Sequence, residues 1–251
     1  MRRVIAIANQ KGGVGKTTTA VNLSAAFALA GFNATLIDLD PQANATSGVG
    51  AELFPESEVH PLLRTENAKQ TAVSTNTAGL KVLPASPKLL NVENELSRHA
   101  DGSLRLGRLL SGSLGETDCV VIDCPPSLGL LTRSALNSAT SVLIPIQCEY
   151  YAMEGLTRIL GVVEEVRRAS NAGLKVGGIL LTMFDAGLDL SHEVVSEVRD
   201  YFPEEVYDTI IPRDVALSEA SSHGQAVLQY APRSPGSLAY LELSREVMAN
   251  G

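Results

Sequence analysis

The chain has 251 residues, 45% hydrophobic and 19% charged, with a formal net charge of −8 at neutral pH. Such a length can bury a sizeable core as one α/β domain, while the negative balance excludes a global attraction to nucleic acid or anionic lipid. No signal-peptide pattern or bilayer-length apolar run is present; Cys119, Cys124 and Cys148 lack metal-ligand spacing and are expected as buried free thiols of a cytoplasmic protein.

In chain order, Val4–Ala8 reads as a first strand, followed by the glycine-rich stretch "NQKGGVGKTTT" and a helix over Thr17–Ala30 that Gly31 stops. Ala34–Leu39 is a second strand. The polar stretch Thr65–Gly79 is expected as a surface excursion. Leu80–Leu83, Cys119–Ile122, Val142–Ile146, Gly178–Thr182 and Val206–Ile211 are further strands, several apolar throughout, as in a sheet covered on both faces. Leu156–Ala169 and Leu190–Phe202 carry apolar residues at helical spacing. Alternation of this kind predicts an α/β fold: one domain over residues 1–251, with a mainly parallel twisted sheet and helices on both faces.

The loop after the first strand is the most specific signal. Gly12, Gly13 and Gly15 lack Cβ atoms and let backbone N–H groups wrap an oxyanion, with the helix N-terminus adding positive potential. The nucleotide-binding stretch is Lys11, Gly12, Gly13, Val14, Gly15, Lys16, Thr17 and Thr18: Lys16 would reach the β- and γ-phosphates of ATP, and the Thr17 hydroxyl would bind Mg²⁺. The spacing departs from the usual phosphate loop, because Gln10 stands where the first glycine belongs and Lys11 follows it. Two acidic strand ends complete the set. Asp40, in "LIDLDPQANAT", would orient the attacking water or hold a metal-bound water, with Asp38 more structural. Asp123, in "CVVIDCPPSLG", has the form of a carboxylate that holds Mg²⁺ through water.

Together "KGGVGKT", "DLDPQANATSG", "VIDCPPSLGLLT", "PIQCEYYAMEGL" and "IPRDVALSEASSHG" resemble the ParA/Soj family of partitioning ATPases, which are P-loop NTPases of the deviant Walker A type. The resemblance covers roughly residues 3 to 248 and is to the short chromosomal type. It implies a slow ATPase that ATP closes into a homodimer, with Lys11 reaching the partner protomer's phosphates, Asp40 critical for hydrolysis and a ParB/Spo0J-like protein stimulating turnover. It also implies that Thr182 and Met183, with Pro212, Arg213 and Asp214, enclose the adenine. The alternatives are a MinD-like membrane-associated ATPase and a metabolic ATPase on the same fold. The first needs a basic amphipathic C-terminal helix, whereas "LAYLELSREVMANG" has only Arg245 against Glu242 and Glu246; the second would lack the lysine at position 11. No membrane association is expected.

Departures from the family pattern fall at Ala43, where glycine is usual, and at Asp214, where asparagine is usual. Two arginines that the family credits with nonspecific DNA binding are replaced by Gly187 and Ala216. From Asp185 to Gln225 there are ten Asp or Glu against Arg199 and Arg213. His192-Glu193 reads as a surface helix face, Ser127, His223 and Asp123 as no hydrolase triad, and Arg98, Arg105 and Arg108 as a solvated face. Nucleoid association would follow only if DNA binding held. Each neutralised phosphate adds about 0.9 to the slope of log affinity against log salt. The ATP-bound form is therefore expected to bind nonspecific duplex weakly and with a shallow slope; Gly187→Arg with Ala216→Arg should strengthen binding and steepen the slope in a salt titration followed by gel shift.

Overall fold

The apolar runs become strands lying side by side in one sheet. β1 (Arg3–Ile7), β2 (Ala34–Asp38), β3 (Val73–Ser74), β4 (Leu80–Leu83), β5 (Cys119–Asp123), β6 (Ser141–Gln147), β7 (Lys175–Phe184) and β8 (Val206–Pro212) take the order β3-β4-β2-β5-β1-β6-β7-β8. All pairs are parallel except β3 with β4. The structure is a computed structural model describing residues 2–250 except 56–57, 59, 64–71, 114–116 and 151. Residues 65–71 of the expected surface excursion lie outside the described residues. Its remainder contributes β3, a two-residue edge strand with both side chains exposed, too short for any periodicity to reveal.

Period-two alternation divides the core. Val4 and Ala6 of β1 and Val120 and Ile122 of β5 face one apolar cluster, while Ile5, Ile7, Cys119 and Val121 face the other. The first cluster is covered by α3 (Leu89–Leu96), α4 (Arg105–Ser113), α5 (Leu130–Ser138), α6 (Ala152–Ala169) and α7 (Asp189–Tyr201). The second is covered by α1 (Lys16–Leu29), α2 (Asn44–Gly48), α8 (Val215–Ser222), α9 (Val227–Tyr230) and α10 (Pro235–Ala249). A sheet clad on both faces is why its strands read as apolar runs rather than as alternating ones. The three cysteines are buried and free; burial raises all three thiols, Cys148 to about 11, so they stay protonated.

The C-terminal helix is bound tightly to this framework. Ser234 caps α10 by accepting from the Ser237 amide, and Pro235 opens its first turn, where a missing N–H costs nothing. Tyr240, Leu243 and Val247, at helical spacing, are buried in the core that α1 also lines. Tyr240 and Thr19 share a buried 3.1 Å hydrogen bond between their hydroxyls. Arg3 donates to the Val247 and Met248 carbonyls, and the Glu246 carboxylate accepts the Asp208 and Thr209 amides. The apolar face of α10 is thus spent inside the molecule, and no described helix is long and apolar enough to cross a membrane. Leu243→Ala should lower unfolding stability by about 2–5 kcal/mol and Tyr240→Phe by about 1 kcal/mol, both readable in urea denaturation.

Candidate nucleotide-binding site

Parallel register assembles the site. Ile7 pairs with Asp123 across β1 and β5, and Asp38 pairs with Asp123 across β2 and β5, so three strand ends lie in a row. From β1 the chain turns through residues 8–15 into α1. Gly13 and Gly15 take φ of 75° and 84°, the left-handed region that a side chain disfavours. Asn9 pins the turn from below: its side-chain amide donates to the Pro145 carbonyl at 2.8 Å, and its oxygen accepts the Lys11 amide at 3.1 Å. Buried Val14 is held by Thr182, whose hydroxyl lies 3.0 Å from the carbonyls of both Val14 and Ile146. Gly12 and Gly13 are exposed at the mouth, Thr17 and Thr18 half-buried in the first turn of α1.

The two loop lysines stand in different surroundings. Lys16 is 6% exposed, and its ammonium donates to the Lys11 carbonyl at 2.8 Å. Burial lowers its pKa, against the pull of Asp123, Cys124 and Asp40. The Lys11 side chain is 35% exposed and ion-paired at 3.2 Å with Glu149, itself 47% exposed. Gln147 donates to the other oxygen of that carboxylate at 2.6 Å. Glu149 had no role in the sequence reading, because the pair spans 138 positions and no local pattern signals it.

The carboxylates are sorted by their partners. Asp38 is buried and fully engaged, accepting the Asp40 amide on one oxygen and the Thr46 amide and hydroxyl on the other. Burial raises its pKa to about 6 despite those bonds. Asp40 is 8% exposed and accepts the Gln42 amide at 3.0 Å. Asp123 is fully buried, and among the described residues neither of its oxygens makes a hydrogen bond of good geometry, the Thr17 hydroxyl lying near enough only for a weak one. Burial first, and then the Asp38 charge, push its pKa well up, with the nearby Thr17 hydroxyl and Lys16 pulling the other way. An orphaned buried carboxylate beside a threonine hydroxyl, at the N-terminus of a helix that begins with a lysine, is the donor set that suits a hydrated Mg²⁺ carried by a nucleotide. Among the described residues no group of three His, Cys, Asp or Glu could hold a metal by itself, and a cation borne by phosphates does not need one.

Of the residues expected to enclose the adenine, Thr182 touches the loop as described, while Met183 has φ 53°, an uncommon left-handed setting for a methionine within β7. Pro212 is half-buried at the end of β8, opposite Phe184, and Arg213 is exposed. Asp214 has a structural role that the motif does not show. It caps α8, one oxygen accepting the Ala216 amide at 3.0 Å and the other the Gly236 amide at 2.8 Å. Burial would raise its pKa, but these amides hold it below the usual carboxylate range. Both oxygens are therefore used in joining α8 to α10. Ala43 has φ 55° and is buried, which explains why glycine is the easier residue there.

The remaining candidates stand apart. The His192 ring packs edge-on against Phe184 and the His223 ring stacks on Tyr230. Asp101 pairs with both Arg105 and Arg108 on the face read as solvated. Asp189, Glu193, Glu197, Asp200, Glu204, Glu205, Asp208 and Glu219 are exposed.

The chain is similar to known proteins along its whole length. Residues 2–176 match a family model described as an AAA domain. The chain is 47% identical over 253 residues to the sporulation initiation inhibitor protein Soj of Bacillus subtilis, covering 100% of both chains. It is 46% identical over 248 residues to the chromosome partitioning protein ParA of Myxococcus xanthus, covering 98% of this chain and 88% of that one. Among solved structures it is similar to cobyrinic acid a,c-diamide synthase of Mycobacterium smegmatis with bound ATP analogue and magnesium, at 34% identity, TM-score 0.85, and 98% and 93% coverage.

A carboxylate whose pKa rises on folding stabilises the fold in its protonated form, and that contribution is lost as pH climbs through the raised value. Asp123→Asn, which keeps the neutral shape, should therefore stabilise the nucleotide-free protein at pH 8 by roughly 1–3 kcal/mol and much less at pH 5. The same variant should lose most of the added thermal stability that Mg²⁺ with ATP confers, as thermal unfolding with and without them would show.

Proposed function

We propose that this chain, which belongs to the ParA/Soj family of partitioning ATPases, is a switch that ATP closes into a homodimer to position a chromosome, a plasmid or another cargo. Residues 1–251 act as one ParA-type ATPase domain. The observation that carries the reading is the contrast between the two loop lysines. Lys16 is buried among Asp123 and Asp40, where it serves the phosphates of its own protomer. Lys11 lies at the surface, paired with an exposed carboxylate that it can leave at little cost. A cation so placed is available to the phosphates of a second protomer, where it would act as an arginine finger does.

Within the site, loop amides from Gly12 to Thr18 cradle the phosphates, and the left-handed turns at Gly13 and Gly15 aim them. Thr17, Asp123 and Asp40 would hold Mg²⁺, which would offset the charge of the phosphates. The Asp40 oxygen that makes no hydrogen bond orients the attacking water. Thr182, Met183, Pro212 and Arg213 border the base, while Asp214 shapes that border by capping α8 rather than through a free carboxylate. Turnover is slow alone and is raised by a ParB/Spo0J-like partner. The exposed carboxylates of α7, and Glu219 of α8 on the opposite side of the sheet, disfavour a strong DNA contact at either helix. The likeness to a synthase supports a metabolic ATPase as the second reading; Lys11 favours the switch.

Light scattering should show a monomer with ADP and a dimer with ATP and Mg²⁺. Lys11→Ala should keep ATP binding and lose the dimer, and Lys16→Ala should weaken binding itself. Asp40→Ala should bind, dimerise and turn over about 10²–10⁴-fold more slowly in a phosphate-release assay. A dimer independent of nucleotide would overturn the switch.

A further inference from the structure

We infer that Thr46 is a positioning residue for the Asp40 carboxylate, acting through Asp38; the inference rests on the role given to Asp40 above. Thr46 is fully buried in α2, six positions beyond Asp40. Its hydroxyl donates to Asp38 Oδ2 at 2.7 Å and accepts the Ala85 amide at 2.9 Å, while its own amide donates to the same Asp38 oxygen at 2.8 Å. The other oxygen of Asp38 accepts the Asp40 amide at 3.0 Å. One carboxylate thus joins both ends of the 38–46 loop, and the Thr46 hydroxyl fastens that loop to the segment after β4.

The bond pattern decides what this brace does. Asp40 Oδ1 takes the Gln42 amide, and its carbonyl takes the Ala43 amide at 2.8 Å. Oδ2 is left without a hydrogen bond, and its direction follows from the backbone at residue 40. That backbone hangs on Asp38. The turn also holds Ala43 at φ 55°, a setting that costs about 1–2 kcal/mol for a residue with a Cβ, so it needs an external hold to keep one conformation. Thr46 supplies that hold without touching the nucleotide-facing groups. A displacement of about 1 Å in a catalytic group can cost 10²-fold in rate.

The test compares Thr46→Val, nearly isosteric but without the hydroxyl, with Thr46→Ser, which keeps it. ATP affinity is followed with a fluorescent analogue, and hydrolysis in single turnovers of radiolabelled ATP. Thr46→Val should bind ATP within about twofold of the parent and hydrolyse it on the order of 10-fold more slowly, and Thr46→Ser should recover most of the rate. In an Asp40→Ala background Thr46→Val should bring no further loss, because residues acting as a unit are not additive. Should Thr46→Val fail to fold, Thr46→Ala, which also lacks the hydroxyl and leaves every charge of the site in place, carries the same comparison. An unchanged rate beside a crippled Asp40→Ala overturns the brace, as does an equal loss in both backgrounds or a loss confined to ATP affinity. A normal rate in Asp40→Ala itself instead overturns the role of Asp40 and takes this inference with it.

Discussion

Parallel, in-register pairing of β2, β5 and β1 is what everything at the nucleotide edge depends on. Helical crossovers return each strand to the same end of the sheet, so the C-termini collect on one edge. There Asp38, Asp123 and Ile7 stand in one row. A shift of one residue in any of these ladders would turn a carboxylate from its neighbours into an apolar layer. The two cores hold the register by burying alternate side chains of each strand on opposite faces.

That arrangement gathers charges that water can no longer solvate. Asp38 is satisfied by the groups of its own loop, Lys16 rests on a loop carbonyl, and Asp123 lacks a hydrogen bond of good geometry among the described residues. The burial that raises the pKa of Asp123 would make a bound cation and its waters welcome there, because they replace the solvation that folding removed. Stability is given up at the position where binding would restore it. The Tyr240–Thr19 bond and the packing of α10 against α1 hold the helix that carries Lys16 and Thr17 while the site is in this state.

Charge on the outside follows a different logic. The Lys11–Glu149 pair lies between two partly exposed side chains, where such a pair contributes little and exchanges readily. Asp214 shows the reverse case: two backbone amides donate to its carboxylate, which fixes α8 against α10.

Much was legible in the amino-acid sequence, for identifiable reasons. The glycines and Lys16-Thr17 form a local motif whose chemistry needs only a strand before it and a helix after it. The seven longer strands and three of the four longest helices, all but α10, announce themselves by apolar runs and spacing. Asp40 and Asp123 stand out because they end such runs. The two-residue strand β3 and the short helix α2 could not be read, since neither is long enough to show a period. Glu149, Thr46 and the capping role of Asp214 were equally hidden. Lys11 meets Glu149 across 138 positions, and Thr46 fastens its loop to Ala85 across 39. Asp214 reaches Gly236 across 22. The sequence by itself determined which residues can grip a phosphate, because that chemistry is carried by adjacent residues. Only the tertiary structure decided which carboxylate is left unpartnered and which lysine stays at the surface, because burial and hydrogen-bond pairing are properties of what the fold brings together.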